Sequence, residues 1–568
     1  MSRIDPPLRT GDDDLMNDIY ALGSAFVDEQ AAQRPLLATY LGIRGHDHLW
    51  DDFSLEGRQA QADLRRDQLR RVEAVDPGDD RWAALSARVA AEYLKDELVW
   101  YDADEPLRQL NSIDCPLQSM REIFDHMSRD DAAAWHDIAG RLEGLAGAMS
   151  GYRETLEEGR RRGMAVARRQ VVECIRQARN FAGDLSPYTA LAAEAEGVGD
   201  DRLTARVADG AVAARAAYGE FSEYLESTYL PSAVEADGVG RDRYVTLASH
   251  YLGDDLHPDT TYRWGWYEIS RLRRRMQAVA QEILPGATLS EVLEVLATDP
   301  DRAAHSQEEF RDLMQERLES ALTDLEGVHF DVPEPIRRVD VRMTPPGGAL
   351  GAYYMGPSED FKRPGTVWWS KGDLTVIPLF DEVSTAYHEG FPGHHLQGGL
   401  QMTAGDRVTR FQKLLVWYSG SGEGWALYAE DLMEELGYLE KPDYLMGKLA
   451  SEMLRACRIV IDIGVHLDLL IPGDQPFHPG ERWSFDAAVE MLRDWAAQGS
   501  ELALSEANRY FGYPAQAIAY KIGQQTIRDL RAEAQHRDGS GFDPRAFHAR
   551  MLEVGSPSLR LLKEHMRA

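Results

Sequence analysis

A chain of 568 residues, 43% of them hydrophobic and 28% charged, carries enough apolar material for a sizeable core and is not expected to be disordered. Lys and Arg number 62 against 95 Asp and Glu, a formal net charge of −33. That balance argues against nucleic acid and against an anionic membrane surface as partners, since both require a basic footprint, and it is read here as solubility.

From the amino terminus, MSRIDPPLRTGDDDL has neither a basic n-region nor an apolar h-region, so no signal peptide is expected. No apolar run is long enough to span a bilayer. Cys115, Cys174 and Cys457 are too few and too scattered for a disulfide framework or a Cys-rich zinc module. A cytoplasmic location follows as the expectation.

From about residue 15 to 325, apolar residues recur three and four apart with charge on the other faces, which predicts helices. In EEFRDLMQERLESALTDLEGV, for example, Phe310, Leu313, Met314, Leu318, Leu322 and Leu325 share one side. Asp76-Pro77-Gly78, Asp299-Pro300-Asp301 and the stretches GVGDD and GVGRD mark turns. The arginines 160–162, 168 and 169 are read as a solvated helix face. Helical spacing ends at VHFDVPEPIRRVDVRMTPPGG, where a lobe boundary is placed. Strand-like runs follow at Arg338–Met343, Ala352–Met355, Thr366–Ser370 and Thr375–Leu379, and helices resume near Asp381. The expected fold is mainly α: a two-lobed helical shell around one cleft, with a single small antiparallel β-sheet. Residues 1–330 form the helical lobe and 331–568 the catalytic lobe, one cleft running between them.

The chemistry concentrates in TAYHEGFPGHHLQ. Three histidines and a glutamate within eight residues supply what a zinc hydrolase needs, namely neutral imidazole ligands and a carboxylate base beside the metal. Pro392 breaks the common H-E-x-x-H spacing. Having no N–H and a ring that clashes with the carbonyl four residues back, it must kink or bulge the helix. Looping out through Gly390, Pro392 and Gly393 would bring His394 to the place of the second histidine, beside His388, with His395 as the alternative ligand. Glu389 is the expected general base. In SGSGEGWALYAEDLMEE, Glu423 is the candidate third ligand and Glu430, two turns on, its competitor.

Farther on, Arg458, Asp462 and His466 share a helix face, with Arg455 one turn earlier. His466, oriented by a carboxylate, is a candidate donor to an oxyanion. In RYFGYPAQAIAYKIGQQTIRDLR, the Tyr520 hydroxyl is a second such donor, and Lys521, like Arg455 and Arg458, a candidate for holding a substrate carboxylate.

Five blocks in order, RPGTVWWS, HEGFPGHHLQ, GEGWALYAE, RACRIVIDIGVH and YPAQAIAYKIG, resemble a large bacterial group catalogued as a domain of unknown function and marked by a His-Glu-x-x-Pro-Gly-His-His motif. That group is distantly similar to helical zinc peptidases such as thimet oligopeptidase, angiotensin-converting enzyme and the thermostable carboxypeptidases. The resemblance implies a helical shell around a deep channel, with Ala352–Met355 or Thr375–Leu379 along the cleft binding substrate backbone.

The expected activity is hydrolysis of short peptides by a metal-activated water. His388, His394 and Glu423 would hold Zn2+, Glu389 would move the proton, and Tyr520 and His466 would stabilise the oxyanion. Two rivals remain: a zinc hydrolase of a non-peptide amide, and a metal-free binding protein on the same fold.

Overall fold

The computed structural model describes residues 18–344 and 351–568. The stretch read for a signal peptide and residues 345–348 of the boundary segment lie outside them. The described residues are mainly helical with two small sheets. No helix among the described residues is long and apolar enough to cross a membrane.

Two compact units divide the chain. The first comprises residues up to Asp237 together with Asp406–Val416, the second Gly238–Gly405 with Trp417–Ala568. The change of texture near residue 330 falls inside the second unit, because Pro258–Ile283 packs its buried Trp266, Ile269, Leu272 and Met276 face along Pro442–His466.

The first unit is built from helices whose starts are set by acidic caps: Asp80, Asp131 and Asp200 each accept an amide hydrogen from the first turn. Ala132–Arg161 and Asp201–Tyr224 pack together over Leu142, Leu145, Tyr152, Val207, Tyr218 and Phe221, all buried. Each such side chain contributes about 1.5–3 kcal/mol. The 406–416 segment is fastened by Phe411, whose ring lies 5.8 Å from Phe26 and 5.9 Å from Tyr93. The arginine-rich face is ion-paired: Arg160 and Arg161 with Glu157, Arg162 with Glu158, Arg168 with Glu235, Arg169 with Asp237.

In the second unit the strands are β1 (Ala303–Ala304), β2 (Val339–Met343), β3 (Gly351–Met355), β4 (Gly365–Ser370) and β5 (Ile377–Pro378). The main sheet has the order β2-β4-β3; β3 runs antiparallel to β4, but β2 runs parallel to it. The fourth strand-like run does not join that sheet, since β5 pairs antiparallel with β1. The expected single antiparallel sheet is therefore a mixed three-stranded sheet plus a two-stranded ribbon. The predicted helix over EEFRDLMQERLESALTDL is Gln307–Leu325, with Phe310, Met314, Leu318, Leu322 and Leu325 buried.

Beneath the site, four helices are tied by buried charges. Lys448 Nζ donates to Asp431 (2.6 Å) and Glu452 (3.0 Å), Lys521 Nζ to Glu452 (2.5 Å), and Arg271 to Glu268 (2.9 Å) and Glu452 (3.0 Å). Breaking such pairs strands an uncompensated charge, so the network fixes how Pro258–Ile283, Ser419–Glu435, Pro442–His466 and Ala519–Asp538 sit together.

Candidate metal centre

The helix carrying the His-Glu pair spans Glu382–Glu389, and a new helix, His394–Thr403, begins after four intervening residues. The expected bulge is thus a full break. Gly390 N–H donates to Ala386 O (2.8 Å) and Gly393 N–H to Tyr387 O (3.0 Å), which closes the chain into a tight turn. A Cβ at Gly393 would lie 1.9 Å from the His388 carbonyl oxygen, so only glycine fits there. The Trp425 indole N–H pins the turn by donating to Pro392 O (2.9 Å). As a result the His388 and His394 rings stand 5.0 Å apart and nearly perpendicular, at 85°.

Glu423 comes from Ser419–Glu435, which crosses Ala519–Asp538 backbone to backbone at Gly420, Gly424 and Gly523. A Cβ at Gly424 would be 2.6 Å from Gly523 Cα, and one at Gly523 would be 1.8 Å from Gly420 O. This approach sets the carboxylate against both rings: Glu423 Oε2 is 3.4 Å from His388 Nε2 and 3.5 Å from His394 Nε2. Charge-assisted N–H···O bonds are usually about 2.7–2.9 Å. Ligand atoms about 2.0–2.2 Å from a tetrahedral zinc stand roughly 3.3–3.5 Å apart, so the observed spacing is that of a ligand set. The three donor atoms lie within 4.8 Å of one another.

Glu430 completes the arrangement from behind. It is 3% exposed, 2.9 Å from His388 Nδ1, and its second oxygen accepts the Ser384 hydroxyl. Facing a carboxylate, Nδ1 carries the proton, which leaves the Nε2 lone pair directed at the site; this carboxylate–histidine pairing is the usual support of a metal ligand. Glu430, weighed as a competing ligand, lies instead on the far side of the His388 ring, outside the triad.

In the protein without metal, burial alone would lower the His388 pKa, but its bonds with Glu423 and Glu430 outweigh burial and raise it to about 9. Burial works to raise Glu423, yet the two histidines hold it well below the usual carboxylate range. A metal entering this set displaces a proton from His388. Burial pushes Glu389 above its ordinary value against the opposing charges of His388 and His394.

A cavity of about 740 Å³ opens on this cluster. Its wall carries His388, Glu389, His394, Glu423, Arg455, Arg458 and Tyr520, and the strand β3 runs along it through Gly351–Tyr354. Tyr520 lies with its ring 4.7 Å below the Arg458 guanidinium and its hydroxyl 3.5 Å from Arg509 Nη2.

Three predicted residues are placed elsewhere. His395 is buried with Nε2 2.9 Å from Ile336 O and Nδ1 3.1 Å from the Tyr354 hydroxyl, so both ring nitrogens are engaged away from the ligand set. It follows His394 by one helical residue, about 100° around the axis, and therefore faces the sheet. His466 Nε2 lies 2.8 Å from Tyr510 O, and burial lowers its pKa to about 4; it is a neutral core histidine outside the cavity wall. Lys521 is drawn into the buried network by Glu452 and Glu268 and likewise does not line the cavity. Sequence reasoning missed Glu506, Arg509 and Trp417 on the wall, the last with its ring 5.8 Å from that of His394. Glu506 and Arg509, three apart on Ser500–Gly512, read only as an ordinary helix pair.

No curated protein sequence matches the chain. Among solved structures it is similar to the crystal structure of a "putative lipoprotein" from Colwellia psychrerythraea, with a TM-score of 0.82 at 22% identity over 97% of this chain and 99% of that one. It is also similar to a "putative lipoprotein of unknown function" from Shewanella oneidensis, with a TM-score of 0.73 at 15% identity over 97% of this chain and 100% of that one. These likenesses establish the fold. A family model described as bacterial protein of unknown function (DUF885) matches residues 35–566, and the chain belongs to that family.

Proposed function

We propose that the protein is a zinc-dependent peptidase acting on short peptides, a distant counterpart of the helical zinc peptidases. The observation that carries the reading is the triad His388, His394 and Glu423 at ligand spacing, with Glu430 behind His388 and Glu389 on the same cavity wall. Zinc held there would polarise a scissile carbonyl and bring the pKa of a water near neutrality.

Glu389 follows the first ligand directly in sequence, and its raised proton affinity suits a base that takes a proton from water and returns it. Hydrolysis adds water across the C–N bond: the carbonyl carbon takes the hydroxyl, and Glu389 delivers the proton to the departing amine. Tyr520 is the remaining donor candidate for the oxyanion, since His466 is committed to Tyr510 O. The strand β3 ends its sheet and runs along the cavity, offering backbone groups to an extended peptide, which favours peptides over other amides. The buried free thiols of Cys115, Cys174 and Cys457 support a cytoplasmic address as part of the proposal; recovery of the protein in the cell envelope would reverse it.

The test compares wild type and Glu389→Gln on a panel of short peptides and acylated amines, with zinc content measured alongside. Peptide turnover should fall about 10²–10⁴-fold in the variant while zinc is retained. Undiminished turnover, or preference for the acylated amines, would defeat the reading.

A further inference from the structure

The charges on the cavity wall are unevenly distributed. Around the triad, carboxylates and histidines offset one another, and Lys371 is paired with Glu382. At the wall formed by Pro442–His466 and Ser500–Gly512, three guanidinium groups meet one carboxylate. Arg458 donates through Nη2 to Glu506 Oε2 (2.8 Å) and through Nε to the Tyr510 hydroxyl (2.8 Å). Arg509 Nη1 donates to Glu506 Oε1 (3.3 Å), and the Tyr510 hydroxyl also donates to Glu506.

Glu506 is therefore fully used, and Arg455 has only its own helix turn, donating through Nη1 to Ser451 O (3.1 Å) and to the Ser451 hydroxyl. Among the described residues no carboxylate is hydrogen-bonded to Arg455, although Glu389 on the same cavity wall feels its charge. Two further donors are buried with no acceptor, Arg455 Nε and Arg458 Nη1, and the Arg458 side chain is 6% exposed.

In a chain with 33 excess negative charges, a net charge of +2 on a cavity wall is not a solubility feature. Buried guanidinium N–H groups without acceptors are costly, and the ligand that satisfies planar forks of this kind is a carboxylate. A carboxylate can be the end of a peptide chain or an acidic side chain. The end is favoured by size. The triad and the arginines share one cavity of about 740 Å³, so a peptide reaching both has few residues between the cut bond and the anion.

We propose that Arg455 and Arg458, backed by Arg509, bind the C-terminal carboxylate of a short peptide, so that the enzyme removes residues from carboxyl ends instead of cutting internally. This rests on the peptidase reading above and names its substrate class.

The experiment uses matched peptides of one sequence with a free C-terminal carboxylate, with a C-terminal amide, and with the amide plus an internal glutamate. Each is assayed for kcat and KM on wild type and Arg455→Gln, and for binding by calorimetry to the zinc-loaded Glu389→Gln protein. Amidation should raise KM at least tenfold with kcat little changed, and products should be C-terminal fragments. Arg455→Gln should raise KM for the free acid by a similar factor and leave the amide unaffected. Equal kcat/KM for acid and amide, or rescue of the amide by the internal glutamate, would overturn the proposal; the acid–amide comparison is made on wild type and does not depend on the variant folding. If no peptide is cleaved, tenfold tighter binding of the acid than of the amide by the Glu389→Gln protein would uphold the carboxylate site while the peptidase reading fails, and equal or absent binding would sink the site as well.

Discussion

Replacing Glu430 by glutamine isolates the contribution of a residue that touches no substrate. The carboxylate is 3% exposed, accepts from His388 Nδ1 at 2.9 Å and is held by the Ser384 hydroxyl. Glutamine keeps the volume and an acceptor for Nδ1–H, and its amide can turn toward Ser384, so the packing survives. What is lost is the charge on the acceptor. A hydrogen bond to a charged group is worth about 1.5–3 kcal/mol against about 0.5–1.5 for a neutral one, a loss of about 1–1.5 kcal/mol. That predicts zinc affinity weakened about tenfold, at the lower end of the roughly 10–100-fold usual for such supporting groups. Glu430→Ala, which removes the acceptor altogether, should reach the upper end. The assay is zinc titration against a competing chelator near neutral pH, with far-UV circular dichroism to confirm folding. Zinc dissociation constants within twofold of wild type in both variants would refute the assignment of Glu430 as the group that orients His388.

Three other outcomes follow from residues the structure places outside the ligand set. His395→Gln should keep its zinc and lose thermal stability, because its two partners are Ile336 O and Tyr354; loss of zinc on elemental analysis would restore it as a ligand. Lys521→Met should cost about 1.5–3 kcal/mol in denaturant unfolding by removing one charged donor from Glu452, which keeps Lys448 and Arg271, with KM unchanged, whereas a raised KM would return it to substrate binding. Asp462 is lifted by burial to about 7, despite donation from the Tyr244 hydroxyl and the Ala515 amide. Its folded pKa lies above the unfolded value, so the stability it contributes is present at low pH and is lost as pH rises from about 4 through 7. The stability of wild type relative to Asp462→Asn should fall over that window; a gap independent of pH would contradict the burial argument.

Much of this was legible from residue order. Helical spacing identified Gln307–Leu325 because burial repeats with the helix period, and the prolines and alternating residues after residue 330 located the strands to within a residue or two. Pairing was not legible. The parallel partnership of β2 with β4 skips over β3, and β5 joins Ala303–Ala304, more than seventy positions earlier, where no local pattern marks a strand. At the site, Pro392 announced an interruption, but whether His394 or His395 faces His388 depends on the turn through residues 390–393, which spacing does not determine. Glu423 and Glu430, seven apart, lie on one helix face and meet the same histidine from two sides; the sequence offered both and could not assign which nitrogen each would face. His466 and Lys521 stand off the cavity wall for one reason that spacing does not reveal: each has a buried partner, Tyr510 O and Glu452 respectively.

Whether His388, His394 and Glu423 form a zinc site is decided by elemental analysis of purified protein, with His394→Ala and Glu423→Ala prepared in parallel without added metal. Wild type should hold close to one zinc per chain, lost in both variants while both remain folded. Absence of metal even after zinc is supplied, or full zinc occupancy in either variant, would contradict the zinc assignment.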